Sequence, residues 1–312
     1  MHIVVTGAAG LIGSHLCHRL LDDGHDVIGI DSLITGRREN LDRLNTHDAF
    51  RWVRQDICEP IDVPEPVDRV YNMACPASPA DFEDKSLLIL RTCSEGVRNA
   101  LDLARRHNAR FLQASTSECY GDPDVHPQPE SYFGNVNPIG IRGPYDEGKR
   151  FAEATTFAYH RRYGLPTRIV RIFNTYGPGM RADDGRALPV LIQQALTDQP
   201  LSVYGDGSQT RSFCYVADMV EGIVRLMESD YPRPVNIGGT DEITIRQLAE
   251  EVIELTGSAS TIEYRPLPDG DPKMRQPDTH LARELLGWQP TVDRPDGLSR
   301  TIDDFRHRLG LA

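Results

Sequence analysis

At 312 residues, with 46 acidic against 34 basic side chains and a formal charge of −12, the chain is long enough for one large α/β unit with an ample core plus a smaller region. The negative balance argues against a nucleic-acid-binding surface. No apolar run approaches the roughly 18 residues of a membrane span. Residues 1–6 lead directly into an apolar strand, which predicts no membrane contact, no signal peptide and therefore a cytoplasmic protein.

The first element, His2-Ile-Val-Val-Thr6, reads as a short apolar strand, and Gly7-x-x-Gly10-x-x-Gly13 follows at once. A helical pattern then runs through Ile12, Leu16 and Leu20 and closes at Gly24. A glycine-rich turn between strand and helix lets the backbone approach a pyrophosphate, which rests on the positive end of the helix. Gly7, Gly10, Leu11, Ile12 and Gly13 are the positions expected to do this. A second strand, residues 27–31, ends in Asp31, an acid placed to accept hydrogen bonds from an adenosine ribose. A carboxylate there disfavours a 2′-phosphate, so the expected cofactor is NAD in preference to NADP, although Arg37 and Arg38 stand nearby. The bland alternative, a loop that merely packs helix on strand, does not account for the acid.

Further β-rich stretches at residues 51–57, 69–73, 110–114 and 167–173 alternate with helical patterns at 87–106 and 145–163. That alternation predicts an α/β fold with a Rossmann-like, doubly wound parallel sheet covered on both faces. After Asn174 the pattern breaks into short pieces separated by Pro- and Gly-rich turns. They include a helix at 216–227, a strand at 235–238 and a helix opened by Thr244 with Gln247 as its capping-box partner. Residues 1–174 are thus expected to be mainly the dinucleotide-binding domain. Residues 175–312 should be mainly a smaller, substrate-binding α/β region over the carboxyl ends of the strands, with some exchange of strands and helices between the two.

Six cysteines (Cys17, Cys58, Cys75, Cys93, Cys119 and Cys214) show no Cys-x-x-Cys spacing, and the ten histidines show no ligand spacing. The thiols read as reduced core residues and no metal is expected.

The chemistry concentrates between Ser115 and Lys149. Tyr145 and Lys149 lie four apart, so on a helix they share a face. A tyrosine ordinarily keeps its proton to a pH of about 10, but a neighbouring ammonium favours the phenolate and is expected to bring it into range for general-base work. Alone, such a pair arises by chance on helices. Likewise Ser115 to Ser117 could merely end a strand with turn-forming hydroxyls, Glu118 could be a solvated acid and Arg211 could sit in a surface turn.

Longer strings decide between these readings. Ala74-Cys-Pro-Ala-Ser-Pro79, Ser115-Thr-Ser-Glu-Cys-Tyr-Gly-Asp-Pro123, Val125-His-Pro-Gln-Pro129, Gly134-Asn-Val-Asn-Pro-Ile-Gly140, Tyr145-Asp-Glu-Gly-Lys-Arg150, Arg171-Ile-Phe-Asn-Thr-Tyr-Gly-Pro178, Asp183-Asp-Gly-Arg186 and Val203-Tyr-Gly-Asp-Gly-Ser-Gln-Thr-Arg211 resemble the UDP-glucuronate decarboxylases of the extended short-chain dehydrogenase/reductase group. The resemblance covers essentially the whole chain. Three places depart from it: Gly143-Pro144 replaces a small residue and cysteine before the tyrosine, Phe133 a tryptophan, and Ser32 an asparagine after the ribose acid.

The resemblance implies a redox-neutral sequence. Tyr145, held by Lys149 and hydrogen-bonded through Thr116, would take the proton of the sugar O4 while C4 gives a hydride to NAD⁺. The resulting 4-ketone, β to the C6 carboxylate, lets CO₂ leave. Glu118 or a water it orients would relay protons, Ser117 would assist, and Arg211 would contact the carboxylate or act as the acid at C5. Asn174, Arg186 and Arg275 would contact the substrate or its diphosphate, Tyr204 would stack on uracil, and Asn99 would reach the phosphates. Asp56 and Ile57 would flank the adenine. The partner implied is a UDP-sugar, and the assembly a homodimer paired through the helix after the fourth strand and the Tyr145 helix. Alternatives from the same group are a 4,6-dehydratase, which usually carries aspartate at position 117, a C4 epimerase, which usually lacks the acid at 118, and an apiose-forming enzyme, expected to have cysteine at 117. A non-catalytic NAD-binding regulator would have lost Tyr145 or Lys149, and both are present.

Overall fold

The computed structural model describes residues 1–266 and 274–311. Strands β1 (His2–Thr6), β2 (Asp26–Asp31), β3 (Phe50–Arg54), β4 (Arg69–Asn72), β5 (Arg110–Thr116) and β6 (Thr167–Ile172) form one wholly parallel sheet with a seventh strand, Pro234–Ile237. Its order is Pro234–Ile237, β6, β5, β4, β1, β2, β3. The strand direction of progress reverses between β1 and β4, and in such sheets the crevice at this switch point, outside the carboxyl ends, is where ligands bind.

Alternation along each strand feeds the two faces. Ile3 and Val5 of β1 enter one apolar cluster with Tyr71 and Leu112, while Val4 enters the other with Val70 and Phe111. Both clusters are sealed, so the strands read as continuous apolar runs. The carboxyl ends are tied together by a buried polar ladder. Thr6 Oγ1 donates to Asn72 Oδ1 (2.7 Å), Asn72 Nδ2 donates to Gln113 Oε1 (2.9 Å), and the Ala74 amide donates to Thr6 Oγ1 (3.2 Å).

Two details go beyond the sequence pattern. The single helix expected at 87–106 is Ser86–Arg91, a wide five-residue π turn at Thr92–Gly96, and Val97–His107. The turn brings Gly96 onto Ile57, where a Cβ at 96 would lie 2.7 Å from Ile57 Cδ1. Close approach to the cleft therefore overrides regular helical winding. The strand at Pro234–Ile237 belongs to the main sheet, paired in parallel with β6, and the helix Val216–Glu228 packs against that same sheet. Both return to the first unit after the chain has left it.

The rest of the C-terminal half is built from small sheets. Thr210–Ser212 lies between Glu242–Thr244 and Met274–Arg275, and Leu201–Tyr204 pairs with Ile262–Arg265. Thr244 and Gln247 form the expected capping box on the helix Ile245–Thr256. Among the described residues no helix is long and apolar enough to cross a membrane.

Candidate active site

The cleft at the switch point begins with the glycine turn. Gly7 has φ +71°, and a Cβ there would sit 2.8 Å from the Ala74 amide nitrogen. A Cβ on Gly13 would meet the Gly7 carbonyl oxygen at 2.0 Å. Side chains are thus excluded at both positions, and the helix Leu11–Asp22 starts with no side-chain cap, its first amides directed at the cleft. Gly7, Gly10, Asp31, Asp56 and Ile57 line this same cleft. Leu11 and Ile12 pack against the core at the start of the helix. The Asp31 carboxylate accepts the amides of Ala9 (2.9 Å) and Leu33 (2.8 Å), which fixes its orientation. Burial pushes its carboxyl above the ordinary value, and those two hydrogen bonds oppose the shift. A side-chain-free pyrophosphate cradle on a helix start, with an oriented acid one strand away, fits a dinucleotide whose ribose hydroxyls are free. Asp31→Ala is expected to weaken NAD binding and relax discrimination against NADP. Titration of both cofactors checks this, and an unchanged NAD to NADP preference would remove Asp31 from the ribose site.

Beside that cleft, β5 ends in Thr116 and runs into the tight turn Ser117–Tyr120, where Thr116 Oγ1 accepts the Glu118 amide at 3.2 Å. Facing it is the helix Gly143–Tyr163, begun by a proline in its first turn. The glycine at 143 has a local reason, since a Cβ there would lie 2.4 Å from the Pro138 carbonyl oxygen. Lys149 Nζ donates to the Ala114 carbonyl at 2.9 Å and lies 5.8 Å from the Tyr145 ring centre. The Tyr145 ring stacks on Phe82 with centroids 4.8 Å apart.

The expected lowering of the Tyr145 phenol is not the net result. Burial dominates and pushes it up to about 12, while Lys149, a hydrogen bond with Thr116, and Arg186 all pull downward. Burial also opposes the Lys149 charge, but Cys75 and Tyr145 more than offset this and hold the ammonium above its ordinary value.

Glu118 is clamped. Arg275 Nη1 stands 3.1 Å from Glu118 Oε1, and Arg142 binds the other carboxylate oxygen. Burial works against its charge, yet Arg275 and Arg142 outweigh it and hold the carboxyl at about 2. Arg275 is 2% exposed. It also donates to Ser117 Oγ (3.2 Å) and to the Gly121 carbonyl (2.9 Å). The structure therefore places Arg275 against the Ser117–Tyr120 turn. Arg211 is its neighbour in strand register and contributes to the field on Glu118.

The other predicted contacts are more dispersed. Arg186 donates to the Ala77 carbonyl (2.6 Å) and to Asp184 (3.2 Å), on the Phe82 side of the cleft. Asn99 Nδ2 donates to the Ile57 carbonyl at 2.9 Å, so it braces the turn after β3 that lines the cleft. The Asn174 carbonyl accepts the Cys214 amide at 2.8 Å. Tyr204 is exposed at the end of its strand.

Sequence reasoning missed Arg142, Asp146, Phe82 and the pair Cys75 and Cys93. Asp146 is buried beside Glu118, and its only sequence signal is adjacency to Tyr145. The Cys75 and Cys93 sulfurs are 3.6 Å apart, and the Cys93 thiol together with Lys149 draws the Cys75 thiol down to about 7. All six cysteines are unpaired by disulfides.

Known proteins share the fold. The crystal structure of UDP-glucose 4-epimerase with UDP-glucose from Thermotoga maritima superposes with a TM-score of 0.92 at 29% identity, covering 99% of this chain and 100% of that one. UDP-glucuronic acid 4-epimerase from Bacillus cereus, solved with UDP-glucuronic acid and NAD, gives 0.88 at 30% identity, again covering 99% and 100%. UDP-glucuronic acid decarboxylase 1 of Arabidopsis thaliana is 49% identical over 309 residues, 99% of this chain and 71% of the relative. The profile of the NAD dependent epimerase/dehydratase family matches residues 3–238. A match of that extent, with near-full-length identity to a decarboxylase on top of it, means that the chain belongs to the NAD dependent epimerase/dehydratase family and, within it, to the UDP-glucuronic acid decarboxylases.

Proposed function

We propose that the protein converts UDP-glucuronate to UDP-xylose and CO₂, oxidising C4 and reducing it again within one turnover. The observation that carries this reading is Glu118, ionised between Arg275 and Arg142 just beyond the end of β5, with Arg142 lying over the Phe82 ring that stacks on Tyr145. Such a cluster combines positive potential for a sugar carboxylate with an acceptor able to orient water. Bound NAD⁺ supplies a hydride acceptor for C4 and a positive ring charge that favours the Tyr145 phenolate. Tyr145 takes the O4 proton, Lys149 holds the phenolate by its charge, and Thr116 fixes the phenol by a hydrogen bond. Ser117, bonded to Arg275, keeps that guanidinium against Glu118. Once C4 is a ketone, the electron pair released with CO₂ delocalises into it, so oxidation must precede decarboxylation.

Arg186 and Asn174 are proposed to meet the nucleotide-sugar, Tyr204 to stack on uracil, and Arg211 to add its charge to the carboxylate pocket beside Arg275. On this reading residues 1–174 mainly hold the cofactor and residues 175–312 mainly hold the nucleotide-sugar. A homodimer is proposed through the exposed apolar face of Leu87 (80% exposed), Leu90 and Phe151 (54%), on two helices that pack together. A cytoplasmic setting suits six unbridged thiols.

Mass spectrometry of UDP-glucuronate incubated with the purified protein and no reductant tests the reading. Loss of CO₂ is expected. An isomer of unchanged mass would identify a C4 epimerase, and loss of water a dehydratase.

A further inference from the structure

The proton that Tyr145 takes from O4 returns to O4 when the ketone is reduced. C5 needs a different one, because departure of CO₂ leaves an electron pair on that carbon and the pentose carries a hydrogen there. One proton is therefore consumed per turnover, and the groups already assigned are poor sources of it. Burial disfavours the Glu118 anion, but Arg275 and Arg142 override this and keep it ionised down to about 2. The Lys149 ammonium is committed to the Ala114 carbonyl at 2.9 Å.

Asp146 has no such commitment. It follows Tyr145 in the first turn of the helix Gly143–Tyr163 and is 4% exposed. Its Oδ1 is sealed from solvent and has no hydrogen-bond partner among the described residues, and Arg275 Nε in the same cluster is likewise unpartnered. The charged groups facing it come from three elements. These are Glu118 on the Ser117–Tyr120 turn, Arg275 on the Met274–Arg275 strand, and Arg142 and Glu147 around its own helix. An acid in a first helical turn is ordinarily stabilised as the anion. Here burial, and then the charge of Glu118, push the carboxyl up to about 7 against the two arginines. A buried carboxyl that holds its proton near neutrality, beside a carboxylate that does not, divides the two into donor and orienter.

We propose that Asp146 stores the proton that C5 takes up after CO₂ leaves, delivering it over solvent in the cleft that Glu118 orients. This rests on the decarboxylase reading above. The electron pair left on C5 forms the new C–H bond as an O–H bond of the intervening water breaks, and Asp146 restores that O–H. The negative charge that the substrate loses as neutral CO₂ then resides on Asp146 until bulk water refills it. No oxidant or further reactant is required. Asp146 is a positioning and proton-supplying residue, acting through water and Glu118.

The parent enzyme provides the first test. As pH rises through about 7, protonated Asp146 is depleted and C5 protonation slows by about tenfold per unit. Until C5 is protonated there is no ketone to take the hydride back, so in a single turnover NADH should decay more slowly as pH rises while the burst of CO₂ keeps its amplitude. Asp146→Asn should lower turnover by about 10² with little change in KM for UDP-glucuronate, and it should lose that pH dependence. Asp146→Glu should restore both. An NADH decay rate that stays flat from about pH 6 to about pH 8 overturns the inference, as does an Asn variant that keeps the parent's pH profile. The first of these holds even if the Asn variant does not fold. Failure of the parent to release CO₂ from UDP-glucuronate would instead overturn the decarboxylase reading and this inference with it. CO₂ release with a flat NADH decay rate overturns the inference alone.

Discussion

Tyr145→Phe is expected to fold normally, to keep its NAD, and to lose about 10² to 10⁴ in turnover. The fold should survive because the ring, not the hydroxyl, makes the stacking contact with Phe82 at 4.8 Å, and phenylalanine keeps the ring. Turnover should fail because the hydroxyl on which Lys149 and Thr116 act is gone. The phenol sits at about 12 before substrate and cofactor charge act on it, burial being the main cause. The downward pulls of Lys149, Thr116 and Arg186 are therefore working parts, and each should show in the pH profile of turnover. Steady-state turnover together with the bound NAD content measures the effect. A variant that binds NAD and turns over near the parent rate would falsify the assignment of Tyr145 as the base.

The second large effect is expected from Glu118→Gln. The substitution barely changes volume, so binding of the nucleotide-sugar should persist. It removes the anion held by Arg275 and Arg142, and separating a buried charge from its partners costs about 3–5 kcal/mol in full burial. Glu118 retains 18% side-chain exposure, so the stability loss should fall at or below the low end, about 3 kcal/mol. The chemistry should fall further, by about 10² or more, because an amide neither orients a water for proton transfer nor balances the arginines. Single-turnover absorbance of NADH locates the block. NADH accumulation with CO₂ released places it at C5 protonation, whereas no NADH places it at the first oxidation. Turnover at the parent rate would return Glu118 to the status of an ordinary acid in a loop.

Much of this architecture is legible in the chain because it depends on short-range rules. The strand at 2–6, the glycines at 7, 10 and 13 and the acid at 31 form one continuous signal, since steric exclusion at a tight turn is a local property. The Tyr145 and Lys149 pairing follows from helical spacing, and the capping box at Thr244 from local hydrogen bonding. Where contacts skip far along the chain, the reading is weaker. The helix expected at 87–106 winds through a wide π turn at Thr92–Gly96, where Gly96 packs on Ile57, about forty residues away in sequence. The strand Pro234–Ile237 lies in the first sheet because β6 offers its free edge, which no pattern within residues 234–237 records.

For the site, the sequence by itself determined which groups are proposed to bear the chemistry: the glycine turn, Asp31, Thr116, Tyr145 and Lys149, each singled out by a motif whose spacing carries its own geometry. Tertiary structure alone decided their electrostatic state. Arg275, 157 positions beyond Glu118 in the chain, arrives on a strand paired beside Arg211 and clamps Glu118 as an anion. That anion in turn helps keep its neighbour Asp146 protonated. Burial raises the Tyr145 phenol where spacing to Lys149 suggested the opposite. Charge and desolvation are set by distance in space and by exclusion of water, and neither quantity is written in the order of residues.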